Sequence, residues 1–367
     1  MTSELDDLRD AVRAFLLAKS GEEDVRKLME SEPTFDPAVW AQLAEQLRLP
    51  GLAIPEQYGG DGFGLVELGV VLEEMGRALL CAPYFATVVL AAHALLLADD
   101  PDACARYLPG IAAGRTTATL AVAEREGWWD SARAATEARE QGGRWLLTGQ
   151  KTFVLDGTTA DVLFVVARTA AGPALFAVDR DDAGVRCRPM TTLDATRAQA
   201  VVTLDSASAV LVGQPGDARR IVAGVLDVAS VALAAEQAGG ARKCLEDSAE
   251  YARTRYQFGR PIGSFQAVKH TCADMLAEVE LAEATAREAA RLHDEGDPGF
   301  PAAAAAAHVY CSRAYLSVAM ENIQVHGGIG FTWEHSAHLY FRRAKSSQLL
   351  LGGPAVYHER LLDRLGI

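Results

Sequence analysis

The chain has 367 residues, enough for one large unit or two to three modules. Half of them are apolar and 23% are charged, which supplies a buried core and excludes global disorder. With 35 basic against 49 acidic residues the formal charge is -14, so a general nucleic-acid binder is excluded, although a few local arginines can still hold a phosphate.

Three zones follow one another along the chain. Up to about residue 115 the pattern is helical. Leu5, Leu8, Val12, Phe15 and Leu16 recur at three- and four-residue spacing, and Trp40, Leu43 and Leu47 mark a further helix. A glycine-rich loop, Pro55 to Gly64, precedes another helix carrying Val66, Val70, Val71 and Met75. The stretch Leu90 to Leu97 is apolar nearly all round and reads as a buried helix, too short to span a membrane.

From about 116 to 215 the period changes. Thr119–Val122, Trp145–Thr148, Thr152–Leu155, Asp161–Ala167, Ala174–Val178 and Val201–Leu204 read as short strands broken by Gly and Asp. That spacing predicts a compact β-barrel or sandwich and argues against a parallel βαβ sheet. From about 216 to the end the pattern is helical again, over Ile221–Tyr256, Phe265–Asp294 and, opened by Pro301, to about Val325. The expected fold class is α+β, with domains at 1–115, 116–215 and 216–367.

Six cysteines lie scattered, with no Cys-x-x-Cys pair and no interleaved His, so no metal site is expected. The first 22 residues carry acids and lack a cleavable signal pattern, which points to a cytoplasmic protein with no membrane partner.

Two motifs make a family resemblance specific. Tyr251-Ala-Arg-Thr-Arg-Tyr-Gln-Phe-Gly-Arg-Pro-Ile262, continuing to Phe265-Gln266, resembles a signature of acyl-CoA dehydrogenases, and Gln324-Val-His-Gly-Gly-Ile-Gly-Phe-Thr-Trp-Glu334 resembles their second. Pro55–Gly64 and Gly149–Asp161 match further pieces in the right order, so the resemblance covers the whole chain. It is closer still to the actinobacterial type. It implies an N-terminal helical domain, a middle β-barrel and a C-terminal four-helix bundle around FAD.

Residue chemistry agrees with it. Arg255, at a helix end before Gln257-Phe258-Gly259, can make paired bonds to a pyrophosphate, or lie solvated near the helix dipole. His326-Gly-Gly-Ile-Gly330 offers bare backbone to a ligand, or simply turns the chain. By resemblance Arg255, Gln257, Phe258 and Gln266 approach the pyrophosphate half of FAD. Gln324, His326, Gly327 and Gly328 approach its adenine half in a neighbouring subunit, and Phe153 lies near the flavin ring. The implied reaction is α,β-dehydrogenation of an acyl-CoA thioester: a carboxylate takes the α-proton and the β-hydrogen leaves as hydride to the flavin. Electrons then pass to an electron-transferring flavoprotein or a similar acceptor.

The departures from the pattern are equally specific. Gly352 stands where the family places its catalytic Glu, and Ala229 stands at the alternative base position. Glu236 lies two helical turns beyond Ala229, about 10 Å along the axis on nearly the same face, and is the candidate relocated base. Ala123 and Leu155 replace residues whose hydroxyls usually reach the flavin. Trp128 and Trp129 either narrow a substrate entrance or pack their own loop. The Arg342-Arg-Ala-Lys345 cluster reads as a solvated helix end or a contact for CoA phosphates. Three readings follow: a homotetramer with a relocated base, one subunit of a heterotetramer whose homologous partner supplies the Glu, or a flavin-free scaffold. Some actinobacterial relatives that act on steroid side chains are such paired subunits, and the Gly352-Gly-Pro354 ending resembles their base-lacking member.

Overall fold

A computed structural model describes residues 2–367. In chain order the helices are α1 (Thr2–Lys19), α2 (Glu22–Leu28), α3 (Pro37–Leu47), α4 (Leu65–Arg77), α5 (Ala92–Leu96) and α6 (Pro101–Ala112). Seven strands follow: β1 (Ala118–Ala121), β2 (Glu137–Gln141), β3 (Arg144–Leu155), β4 (Val162–Thr169), β5 (Gly172–Asp179), β6 (Val185–Pro189) and β7 (Gln199–Val212). Then come α7 (Ala218–Thr254), β8 (Tyr256–Gln257), β9 (Arg260–Pro261), α8 (Gln266–Asp294), α9 (Phe300–His326), α10 (Ala337–Leu349) and α11 (Pro354–Leu365). The described residues fall into two compact units.

One unit comprises residues 27–64 and 81–229. Here β4 pairs with β5, β5 with β7, β7 with β3 and β3 with β2, all antiparallel, and β2 returns to β4. The sheet therefore closes on itself, with β1 added parallel to β4 and β6 added to β7. Leu147, Leu163, Val165, Phe176, Val202 and Leu204 point inward and are buried. The two pieces read at Trp145–Thr148 and Thr152–Leu155 are one strand, β3, with irregular register at Leu147/Gly149 and Lys151/Val154. Gly149 allows the first: a Cβ there would meet Thr136 at 2.6 Å. The buried apolar helix opens as a π-helical turn, Phe85–Ala91, where Thr87 Oγ1 donates to the Ala118 carbonyl at 3.0 Å and so fixes the start of β1.

The other unit comprises residues 2–26, 65–80 and 230–367. The helices α8, α9 and α10 pack in sequence, with α11 on α9 and α4 against both α1 and α8. Asp294 at the end of α8 accepts the first N–H groups of α4, from Leu65 at 2.8 Å and Val66 at 2.9 Å, and so caps a helix far away in sequence. The contact between α4 and α7 is backbone on backbone. A Cβ on Gly239 would lie 1.8 Å from the Glu73 carbonyl oxygen, and one on Gly76 would lie 2.0 Å from that of Glu236.

Candidate active site

The end of α7 and the end of α9 come together in the helical unit. Tyr251, one turn before Arg255, stacks on His326 with ring centroids 4.4 Å apart, and His335 lies 4.3 Å beyond. His326 Nδ1 is 2.8 Å from the Asn322 carbonyl. The His326 ring is thus buried and turned inward; it joins the two motifs rather than facing solvent.

After Arg255 the chain forms a two-residue hairpin, with Tyr256 opposite Pro261 and Gln257 opposite Arg260. Its turn residues have positive φ, 53° at Phe258 and 76° at Gly259, as a type I′ turn requires. Phe258 is 92% exposed. Its ring meets Phe265 edge-on, and the Arg260 guanidinium covers Phe265 at 4.0 Å. Arg255, Gln257 and Gln266 are exposed alongside. At the end of α9, Gln324, Gly327 and Gly328 are exposed too, and nothing lies within 4 Å of a Cβ built on either glycine. Cationic, amide and backbone donors therefore share one open end of the bundle.

The three base positions differ sharply. Gly352 has φ 120°, and a Cβ there would touch Val356 and Tyr357 at 3.5 and 3.6 Å. Tyr357 accepts a 2.9 Å hydrogen bond from Ser230 and stacks on His308 at 3.6 Å. Burial, with the charge of Arg360, pushes the His308 imidazole down to about 3. Ala229 is a buried methyl. Glu236 is buried, with Oε1 2.8 Å from Nη1 of Arg343. The structure thus uses Glu236 to neutralise Arg343, and of the 342–345 cluster Arg343, 3% exposed, is no part of a solvated helix end, whereas Arg342 and Lys345 are half-buried.

In the β-unit, Ala123 and Leu155 are buried. Glu124 organises the neighbouring loop. It accepts from Ala135 N and Thr136 N, both at 2.9 Å, and from Thr136 Oγ1 and Lys151 Nζ, both at 2.8 Å. Burial raises the Glu124 carboxyl, but Lys151 and these donors outweigh it and hold it below the usual range. Burial pushes the Lys151 ammonium down, with Glu124 opposing. Nothing in the sequence marks this pair. A cleft of about 250 Å³ lies beside it, lined by Val122, Glu124, Trp128 and Arg133 among others. The Arg133 guanidinium covers Trp128 at 4.8 Å, whereas Trp129 is buried. Phe153 holds φ 56° at the β3 irregularity, rare for an aromatic residue, and Gly127 leaves room for its ring.

Comparison with known proteins accords with this arrangement. The chain matches the acyl-CoA dehydrogenase N-terminal domain over residues 2–115, the middle domain over 119–206 and the C-terminal domain over 219–365. Acyl-CoA dehydrogenase IpdE2 of Mycobacterium tuberculosis is 35% identical over 354 residues, 96% of this chain and 95% of that protein. A variant of the Tcur3481-Tcur3483 steroid ACAD is similar in structure, with TM-score 0.89 and 34% identity over 100% of this chain and 98% of that one. The ChsE4-ChsE5 complex from M. tuberculosis gives TM-score 0.89 and 32% identity over 100% of this chain and 98% of that one. Matched along nearly its whole length, the chain belongs to the acyl-CoA dehydrogenase family.

Proposed function

We propose that the chain is the base-lacking subunit of a heteromeric, FAD-dependent acyl-CoA dehydrogenase, a heterotetramer in which a homologous subunit supplies the catalytic Glu. Gly352 carries this reading, since a glycine has no side chain to take a proton. Ala229 cannot substitute, and Glu236 is engaged with Arg343. Likeness to a steroid ACAD and to the two-component ChsE4-ChsE5 complex supports the heteromeric assembly and a steroid-derived acyl group.

The open bundle end fits the dinucleotide part of FAD. Arg255 offers a planar fork to the pyrophosphate, Gln257 and Gln324 offer amide donors, and Gly327 and Gly328 let the adenine side approach bare backbone. The β-unit fits the flavin ring less well, because Ala123 and Leu155 provide no hydroxyl. When bound, FAD supplies the two-electron acceptor, and an electron-transferring flavoprotein or similar acceptor takes the electrons onward. This chain's residues bind and orient the cofactor, and the partner's Glu accepts the α-proton from the substrate.

The test is purification alone and with the homologous subunit, reading flavin absorbance and assembly mass. Flavin and turnover are expected only in the mixed assembly. There Arg255→Ala lowers flavin affinity about tenfold, for the loss of one charge-assisted contact. Full flavin content and turnover in the chain alone would overturn the proposal. A mixed assembly unable to take up FAD would favour the scaffold reading.

A further inference from the structure

We propose that a cavity walled by α1, α2, α4, α7 and α10 binds a small oxyanion, a carboxylate or phosphate head on a short apolar body. The cavity measures about 330 Å³ and lies within the helical unit. Leu16, Val25 and Leu339, all buried, give it an apolar lining, while Arg13, Arg77 and Lys243 bring three cations to one place in a chain of charge -14.

Two carboxylates also face the cavity, and both are engaged. Glu74 accepts Arg13 Nε at 2.9 Å and Nη2 at 2.7 Å, together with Arg9 at 3.2 Å. Glu22 pairs with Arg26 at 2.7 Å on its own helix. Outside these pairs, Lys243 meets Asp247, and Arg77 meets Glu246 through Nη2. Two donors are left over: Arg77 Nη1 and the Ser20 hydroxyl are buried without a hydrogen-bond partner. Ser20 is 7% exposed and already gives its N–H to the Leu16 carbonyl. A buried donor left unpaired is costly, so a site that leaves two beside the same space is built for an acceptor.

The α10 helix adds to the case. It starts at this wall; its Ala337 N–H already donates to His335 Nδ1 at 3.1 Å, but the Ser336 side chain makes no capping bond, so the positive end of the helix dipole still faces this wall. An oxyanion would accept from Arg77 Nη1 and Ser20 and lay its apolar part on Leu16, Val25 and Leu339. None of these residues belongs to the proposed flavin or base positions, so the two proposals stand or fall separately.

Calorimetric titration of the full chain with inorganic phosphate and, separately, with octanoate at matched ionic strength tests the site. Saturable binding of at least one is expected, and the stronger of the two identifies the head group as phosphate or carboxylate. Combining Arg77→Gln with Ser20→Ala weakens binding about tenfold or more. Ser20→Ala and Lys243→Gln, made singly, keep the Arg77–Glu246 pair; each should weaken binding several-fold, and they serve if the double variant misfolds. No saturable binding of either probe, or binding unchanged in these variants, overturns the proposal.

Discussion

A glutamate could not simply be returned to position 352, because the φ of 120° there is one that side chains rarely adopt. The loop is built for glycine. Beside it, His308 is stacked on Tyr357 with its folded pKa depressed to about 3, against 6.5 in the unfolded chain. The unfolded state therefore binds the extra proton first. Stability from this residue is fully present above pH 6.5 and is lost as pH falls toward 3. His308→Phe keeps an aromatic face on Tyr357 and removes the titration. Its stability relative to the parent should rise by up to about 1.4 kcal/mol per pH unit through that window, read by denaturant unfolding at stepped pH. Parallel pH curves would refute this. At this scale the sequence showed Gly352 and Arg255, because each sits in a local motif. It did not show that Glu236 meets Arg343 or that Glu124 meets Lys151. Those partners are 107 and 27 residues apart and are joined only by packing.

Among the elements, long periodic helices were legible, whereas the hairpin after Arg255 was read only as a helix end, although its Phe258-Gly259 turn lies within the motif. The short strands β2 and β6 were not legible: Glu-Ala-Arg-Glu-Gln has little alternation to betray a strand, and Val-Arg-Cys-Arg-Pro alternates over too few residues and ends in proline. Nor was the closeness of α4 to α7, which depends on glycines that weaken a helix in isolation. That crossing predicts opposite results for one chemical change. Gly239→Ala drives a Cβ into the Glu73 backbone, and α4 must move away from α7, at a cost of about 3 kcal/mol. Gly69→Ala, on the same pair of helices, meets the Ala235 methyl at an ordinary 3.8 Å and should gain up to about 1 kcal/mol in helix propensity. Urea midpoints of the two variants decide the matter. If both shift the same way, the close crossing is not what holds these helices.

For the whole molecule, the family resemblance read from four ordered motifs gave the architecture. The assembly was less legible, because interface side chains carry no local pattern. The helical unit leaves Phe258, Phe331, Trp333 and Tyr256 between 61% and 92% exposed, more large aromatic surface than single scattered residues explain. In the proposed heteromer that surface is expected to be covered by the partner, since aromatic residues are enriched where protein interfaces bury area. Trp333 reports this directly. It is the most exposed of the five tryptophans, at 61% with Arg342 over its ring at 4.6 Å; Trp128, 43% exposed, and the half-buried Trp145 lie in the β-unit, and Trp40 and Trp129 are buried. Mixing the chain with its homologous partner should move tryptophan emission to shorter wavelength, and Trp333→Phe should remove most of that shift. An emission maximum unchanged on assembly, with the mass of the complex confirmed, would mean that the partner docks elsewhere.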